Sequence, residues 1–119
     1  MKLCFNPEYN THKLVAEYVR NQWQQNLGIT MELDSAEIVQ FRERLNKKDY
    51  DVARASWYGD YMDVSTFTDK YVSTSLNNDA NWINPKYDEL LKKAEEEPDA
   101  QKRLEMLAQA EQILLDESP

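Results

Sequence analysis

Apolar and polar positions alternate along this chain with two periods, and each period marks an element. Residues 2–6 are a short apolar run closed by Asn6-Pro7, which predicts a strand and a turn. Leu14, Val15, Tyr18, Val19, Trp23 and Leu27 then recur at helical spacing, predicting a helix over about 11–27 with one apolar stripe. Gly28 is placed to end that helix in a left-handed conformation. Ile29 to Leu33 reads as a second strand, and Asp34-Ser35 as a helix cap with Glu37 in the first turn. Ile38, Phe41 and Leu45 line one face of that second helix, and the polar run Asn46-Lys47-Lys48-Asp49 ends it. Tyr50 to Trp57, rich in Val, Ala and aromatic residues, reads as a third strand.

The resulting β-α-β-α-β order predicts an α/β fold with parallel strands joined by helical crossovers. Ligands on such sheets bind beyond the carboxyl ends of the strands. That rule nominates the loop Trp57-Tyr58-Gly59-Asp60-Tyr61 by position alone. Past the loop, Val64 to Tyr71 predicts a short helix or turn, and 73–83 is polar and irregular around Asn77-Asn78-Asp79. Asn84-Pro85 is a strong helix start, because Asn caps well and Pro suits the first helical position. Tyr87, Leu90, Leu91 and Ala94 give its buried stripe, and Pro98 breaks it. A last helix over about 99–116 would pack on Leu104, Leu107, Ala108 and Leu114.

Length and charge narrow the class. A chain of 119 residues is expected to form one domain. A formal charge of −8 lacks the basic footprint that nucleic acids need, and disfavours anionic membrane surfaces. Cys4 is the one cysteine, so no internal disulfide or structural zinc site is expected, and its apolar neighbours predict a buried, inert thiol. No apolar stretch approaches the ~20 residues of a membrane helix. Met1 to Phe5 passes straight into a strand rather than reading as a secretory signal, which is the look of an excised domain.

Candidate chemistry is sparse. His12, the one histidine, stands near the start of the first helix, and no nucleophile–base–orienter set accompanies it. Asp60 and Asp63 are three residues apart, but no calcium-loop pattern surrounds them, and no glycine-rich phosphate loop is present. Neither a metal nor another cofactor is expected, and the chain does not read as an enzyme. The Trp57 loop has two readings. Its aromatics pack a core while Asp60 caps the next turn, or they wall a cavity in which Asp60 pairs with a cation. Arg54, on the third strand, likewise either bridges to Asp51 or a helix carboxylate, or offers its fork to a ligand carboxylate. Spacing does not choose between these.

The run Asp51-Val52-Ala53-Arg54-Ala55-Ser56-Trp57-Tyr58-Gly59-Asp60-Tyr61 closely resembles the oligopeptide-binding proteins of bacterial ABC importers, the family 5 extracellular solute-binding proteins. So do Asn77-Asn78 and Asn84-Pro85-Lys86-Tyr87-Asp88-Glu89-Leu90-Leu91, with the intervening elements in the same order. The resemblance implies a parallel-sheet lobe of the type II periplasmic-binding-protein fold with additional C-terminal helices, here residues 1–119 as one lobe excised from a larger two-lobed protein. It implies that Asp60 pairs with the α-amino group of a bound peptide. Trp57, Tyr58 and Gly59 would line side-chain pockets and offer backbone groups, and Arg54 would meet the carboxylate of a short peptide. It further implies an oligopeptide ligand, an N-terminal lobe, a membrane permease and an extracytoplasmic location. A second basic contact of the family would fall near Leu45, and Val64 stands where many relatives carry Pro. Two other readings stand beside it: a lobe for a non-peptide solute such as a sugar or metal chelate, and a protein-interaction module using the acidic C-terminal helices.

Overall fold

In the computed structural model, which describes residues 1–119, the strand and helix order follows the hydrophobic periods. Strand β1 (Lys2–Phe5) is central in a three-stranded sheet, with β2 (Glu32–Ser35) and β3 (Val52–Arg54) pairing parallel on either side, in the order β2-β1-β3. Helix α1 (Asn10–Leu27) connects β1 to β2, and α2 (Ile38–Lys47) connects β2 to β3. The short α3 (Ser65–Thr68) runs into a 3-10 turn over Asp69–Tyr71, and α4 (Pro85–Glu96) and α5 (Ala100–Glu117) complete the chain.

The contacts divide into two compact units, Met1–Ser56 and Trp57–Pro119. In the first, alternation along β1 sends successive side chains to opposite faces of the sheet. Leu3 and Phe5 pack with Ala16 and Met31 under α1, joined by Val19, Trp23, Leu33 and Val52. Cys4 points the other way, into Ala36, Phe41 and Leu45, with Ala53 and Tyr50 against them. Both faces are therefore covered by helices, as parallel strands require. Cys4 is buried, and that burial raises its thiol pKa above the ordinary value, in line with an inert core cysteine.

The second unit has one core, in which α4 and α5 press Tyr87, Leu91 and Ala94 against Leu107 and Ala110. Both helices start as their sequences dictate. The Asn84 side chain accepts from the N–H groups of Lys86 and Tyr87, at 3.0 and 3.1 Å, with Pro85 at the first helical position. Asp99 does the same for Gln101 and Lys102, at 2.9 and 3.1 Å. The fully buried Tyr87 donates its hydroxyl to the carbonyl of Thr68 at 2.6 Å, tying α4 to the end of α3. Burial, and then the neighbouring charge of Asp69, raise the Tyr87 pKa above its ordinary value.

Several expected boundaries move. Strand β2 forms at Glu32–Ser35 rather than 29–33, because Gly28 and Ile29 still return their N–H groups to Trp23 and pairing starts only where the Glu32 N–H meets the Met1 carbonyl. Asp34 and Ser35 are consequently strand residues, and α2 starts after Glu37 with no side-chain cap. Asp34 instead receives Arg44 of α2 at 2.6 Å. Strand β3 ends at Arg54, where its pairing with Phe5 ends, not at Trp57. The stripe on α1 is rotated: Ala16 is fully buried, whereas Leu14, Val15, Tyr18 and Leu27 are exposed. On α5 Leu104 and Ala108 are exposed, and Leu107 and Ala110 carry the contact.

Candidate ligand-binding loop

The nominated loop opens the second unit, and a single helical turn positions it. Thr66, buried on α3, holds the loop at two atoms. Its carbonyl accepts the Trp57 indole N–H at 2.9 Å, and its hydroxyl accepts the Asp60 backbone N–H at 2.9 Å. Gly59 lies between these two bonds because a side chain would not fit easily. A Cβ there would sit 3.2 Å from the Thr66 methyl and 3.3 Å from the Phe67 ring. The backbone from Trp57 to Asp60 thus lies outside helix and strand yet is anchored.

The side chains on this backbone face water. Tyr58 is 81% exposed, and the Asp60 carboxylate is exposed without an intramolecular partner. Trp57 is half-buried. The core-packing reading of the loop therefore fails for Tyr58, and the capping reading fails for Asp60. Capping falls to Asp63, which accepts the Ser65 N–H at 2.9 Å.

Asp63 is otherwise taken. Arg103 of α5 grips it with both arms of the guanidinium, at 2.7 and 2.9 Å. The Arg103 bonds, followed by the Ser65 N–H, hold the Asp63 pKa well below the usual carboxylate range. An Asp60/Asp63 metal pair is thus ruled out by geometry, since one carboxylate is committed to a cation and the other is free. No cluster of metal-ligating side chains occurs elsewhere. A cleft of about 450 Å³ in this unit is lined by Tyr61, Ser65, Asp69 and Arg103 among others, and not by Trp57 to Asp60. At its rim the Tyr61 hydroxyl bonds both Ser65 and Asp69, each at 3.1 Å.

Arg54 belongs to the first unit, at the end of β3. It bridges neither to Asp51, which receives the Lys2 N–H at 2.7 Å, nor to a helix carboxylate; its guanidinium donates to the Ser56 hydroxyl at 2.6 Å. A hydroxyl leaves the cation uncompensated, so Arg54 keeps its capacity for an anionic group. His12, at the start of α1, bonds the Asn6 carbonyl through Nδ1 at 3.0 Å, a local structural tie. Thr66, Arg103 and the buried Lys70 escaped the sequence reading. The Asp63-x-Ser65 spacing was the one available signal, a local turn pattern.

Residues 2–79 match the bacterial extracellular solute-binding proteins, family 5 Middle. The chain belongs to this family. It is 36% identical over its whole length to the oligopeptide-binding protein OppA of Bacillus subtilis, covering 22% of that protein. It is 34% identical over its whole length to the periplasmic murein peptide-binding protein MppA of Escherichia coli, again covering 22%. The solved structure of the E. coli murein tripeptide-binding protein MppA superposes on the whole chain with a TM-score of 0.94 at 34% identity, the chain covering 23% of it. Haemophilus influenzae OppA in complex with RPPGFSPFR gives a TM-score of 0.89 at 33% identity, over 95% of this chain and 22% of that one. The chain therefore spans about a fifth of the length of these relatives, and its fold is that of the corresponding segment of type II periplasmic binding proteins. The family consists of solute-binding proteins.

Proposed function

We propose that this chain forms one wall of an oligopeptide-binding cleft in the extracytoplasmic solute receptor of an ABC importer. It would act as one lobe of a two-lobed protein that delivers its ligand to a membrane permease. The observation that carries this reading is the state of Asp60: an exposed, unpartnered carboxylate on a backbone that Thr66 and the Trp57 indole hold in place. A fixed anion with no internal cation suits a ligand ammonium, and the free α-amino group of a peptide supplies one. Tyr58 and Trp57 then offer aromatic surface to side chains, and the irregular backbone offers polar groups to an extended main chain, recognition that is tolerant of sequence. Arg54, compensated only by a hydroxyl, takes the role of receiving the carboxylate of a short peptide.

Enclosure decides the strength of the Asp60 contact. A water-exposed ion pair contributes ~0–1 kcal/mol. Removing one partner of a pair buried between two surfaces costs ~2–5 kcal/mol. The test is Asp60→Asn in the complete two-lobed polypeptide, titrated with a tripeptide by calorimetry. The expected result is a loss of roughly 30-fold or more in affinity, at the lower end of that range, with an unchanged thermal midpoint. Equal affinity in the variant would refute the anchor.

A further inference from the structure

Lys70 is a charged residue spent in an unusual place. It lies in the 3-10 turn after α3 and is only 6% exposed. Its ammonium donates to the Asn77 carbonyl and pairs with Asp79 at 2.8 Å. It also sits over two aromatic rings, 5.4 Å from the centre of the Trp57 indole and 5.2 Å from that of Tyr71. A ring face carries negative quadrupolar charge and attracts a cation at this distance, more strongly where water is excluded.

We propose that Lys70 is the positioning residue of the Trp57–Asp60 loop, holding the Trp57 indole by its face while Thr66 holds it by its N–H. The proposal rests on the reading of that loop as the ligand-contacting edge. Thr66 and Lys70 are four residues apart, the spacing that brings two side chains onto the same side of a helical turn. Both are buried, at 4% and 6% exposure, and both act on the loop. Thr66 grips the rim of the indole and the Asp60 N–H; Lys70 covers the indole face. An aliphatic residue would fill the same space without desolvating a charge. What the charge adds is orientation, since the ammonium is pinned by Asp79 and the Asn77 carbonyl and cannot follow the ring if the loop swings away. Lys70 touches no ligand in this account and acts through Trp57.

The test is amide and indole hydrogen exchange by NMR on the 119-residue chain, comparing wild type, Lys70→Met and Lys70→Arg, with Trp57→Phe to assign the indole resonance. Lys70→Met keeps the stem and removes the charge. Exchange of the Trp57 indole N–H and the Asp60 amide is expected to quicken about tenfold, while Leu91 and Leu107 in the α4–α5 core keep their protection. Lys70→Arg should restore most of the difference, because a guanidinium also packs on an indole face. Unchanged exchange at Trp57 and Asp60 overturns the proposal. So does a uniform loss that includes Leu91 and Leu107, which would make Lys70 an ordinary structural residue. If Lys70→Met does not fold, Asp79→Asn, which weakens the anchor of the ammonium, is judged by the same pattern. These readouts involve no peptide, so a failure here is separate from a failure of the Asp60 titration, which would leave loop protection intact.

Discussion

Two aspartates three residues apart have opposite fates, and the difference lies in what each can reach. Asp63 meets Arg103 and the Ser65 N–H, whereas Asp60 meets water. The consequence for Asp63 is a defined pH dependence. Its folded pKa lies below the ordinary value of 3.8, so the ionised form is favoured in the folded state. The stability this contributes is fully present above about pH 5 and fades as pH falls through and below 3.8 toward the folded value. Asp63→Asn should lower the thermal midpoint at pH 7, and the gap to wild type should narrow on acidification to pH 3. Melting curves by circular dichroism at a series of pH values read this directly; a gap constant with pH would show that the ion pair is not the cause.

Among the elements, α1 separates what periodicity reveals from what it conceals. Its apolar spacing marked a helix, and the helix formed over Asn10–Leu27. The same spacing placed the inner face only in part. Val19 and Trp23 of the stripe do pack on the core, but the fully buried residue is Ala16, which the stripe left out, because the helix carries apolar residues around more than half its circumference. Ala16 is fully buried against Leu3 and Phe5, while Leu14 and Tyr18 are 54% and 65% exposed. Ala16→Met should therefore cost ~1–3 kcal/mol by overpacking. Leu14→Gln with Tyr18→Gln should change stability by less than about 1 kcal/mol in total, as for surface positions. Urea denaturation of the two variants distinguishes them, and a reversed order of cost would refute the assigned face.

The cap of α4 was legible because Asn84-Pro85 acts on its own next two or three residues; the Asp99 cap of α5 is equally local but was not singled out. The limits of β2 and β3 were not, since pairing with β1 decides where a strand starts and stops. The candidate site follows the same division. Trp57 to Asp60 could be nominated from strand order and from resemblance. The Thr66 and Lys70 contacts that fix the loop depend on how α3 and the turn after it fold back, and Arg103 reaches Asp63 across 40 residues of sequence.

For the whole molecule, the sheet unit ends at Ser56, and the unit that follows opens on a loop carrying an exposed carboxylate with no intramolecular partner. Thr66 of α3 fixes the loop backbone, and Asp60 leaves its carboxylate exposed. The chain belongs to the family 5 solute-binding proteins, relatives of which are named for oligopeptides and murein peptides, and under the proposed function the cation is a peptide amino terminus. The most direct measurement is calorimetric titration of the two-lobed polypeptide of the proposed function with one tripeptide in two forms, free at its amino terminus and N-acetylated. Anchoring through Asp60 requires the acetylated form to bind at least about 30-fold more weakly, as expected for one lost partner of an enclosed ion pair. Equal binding of the two forms would contradict the account.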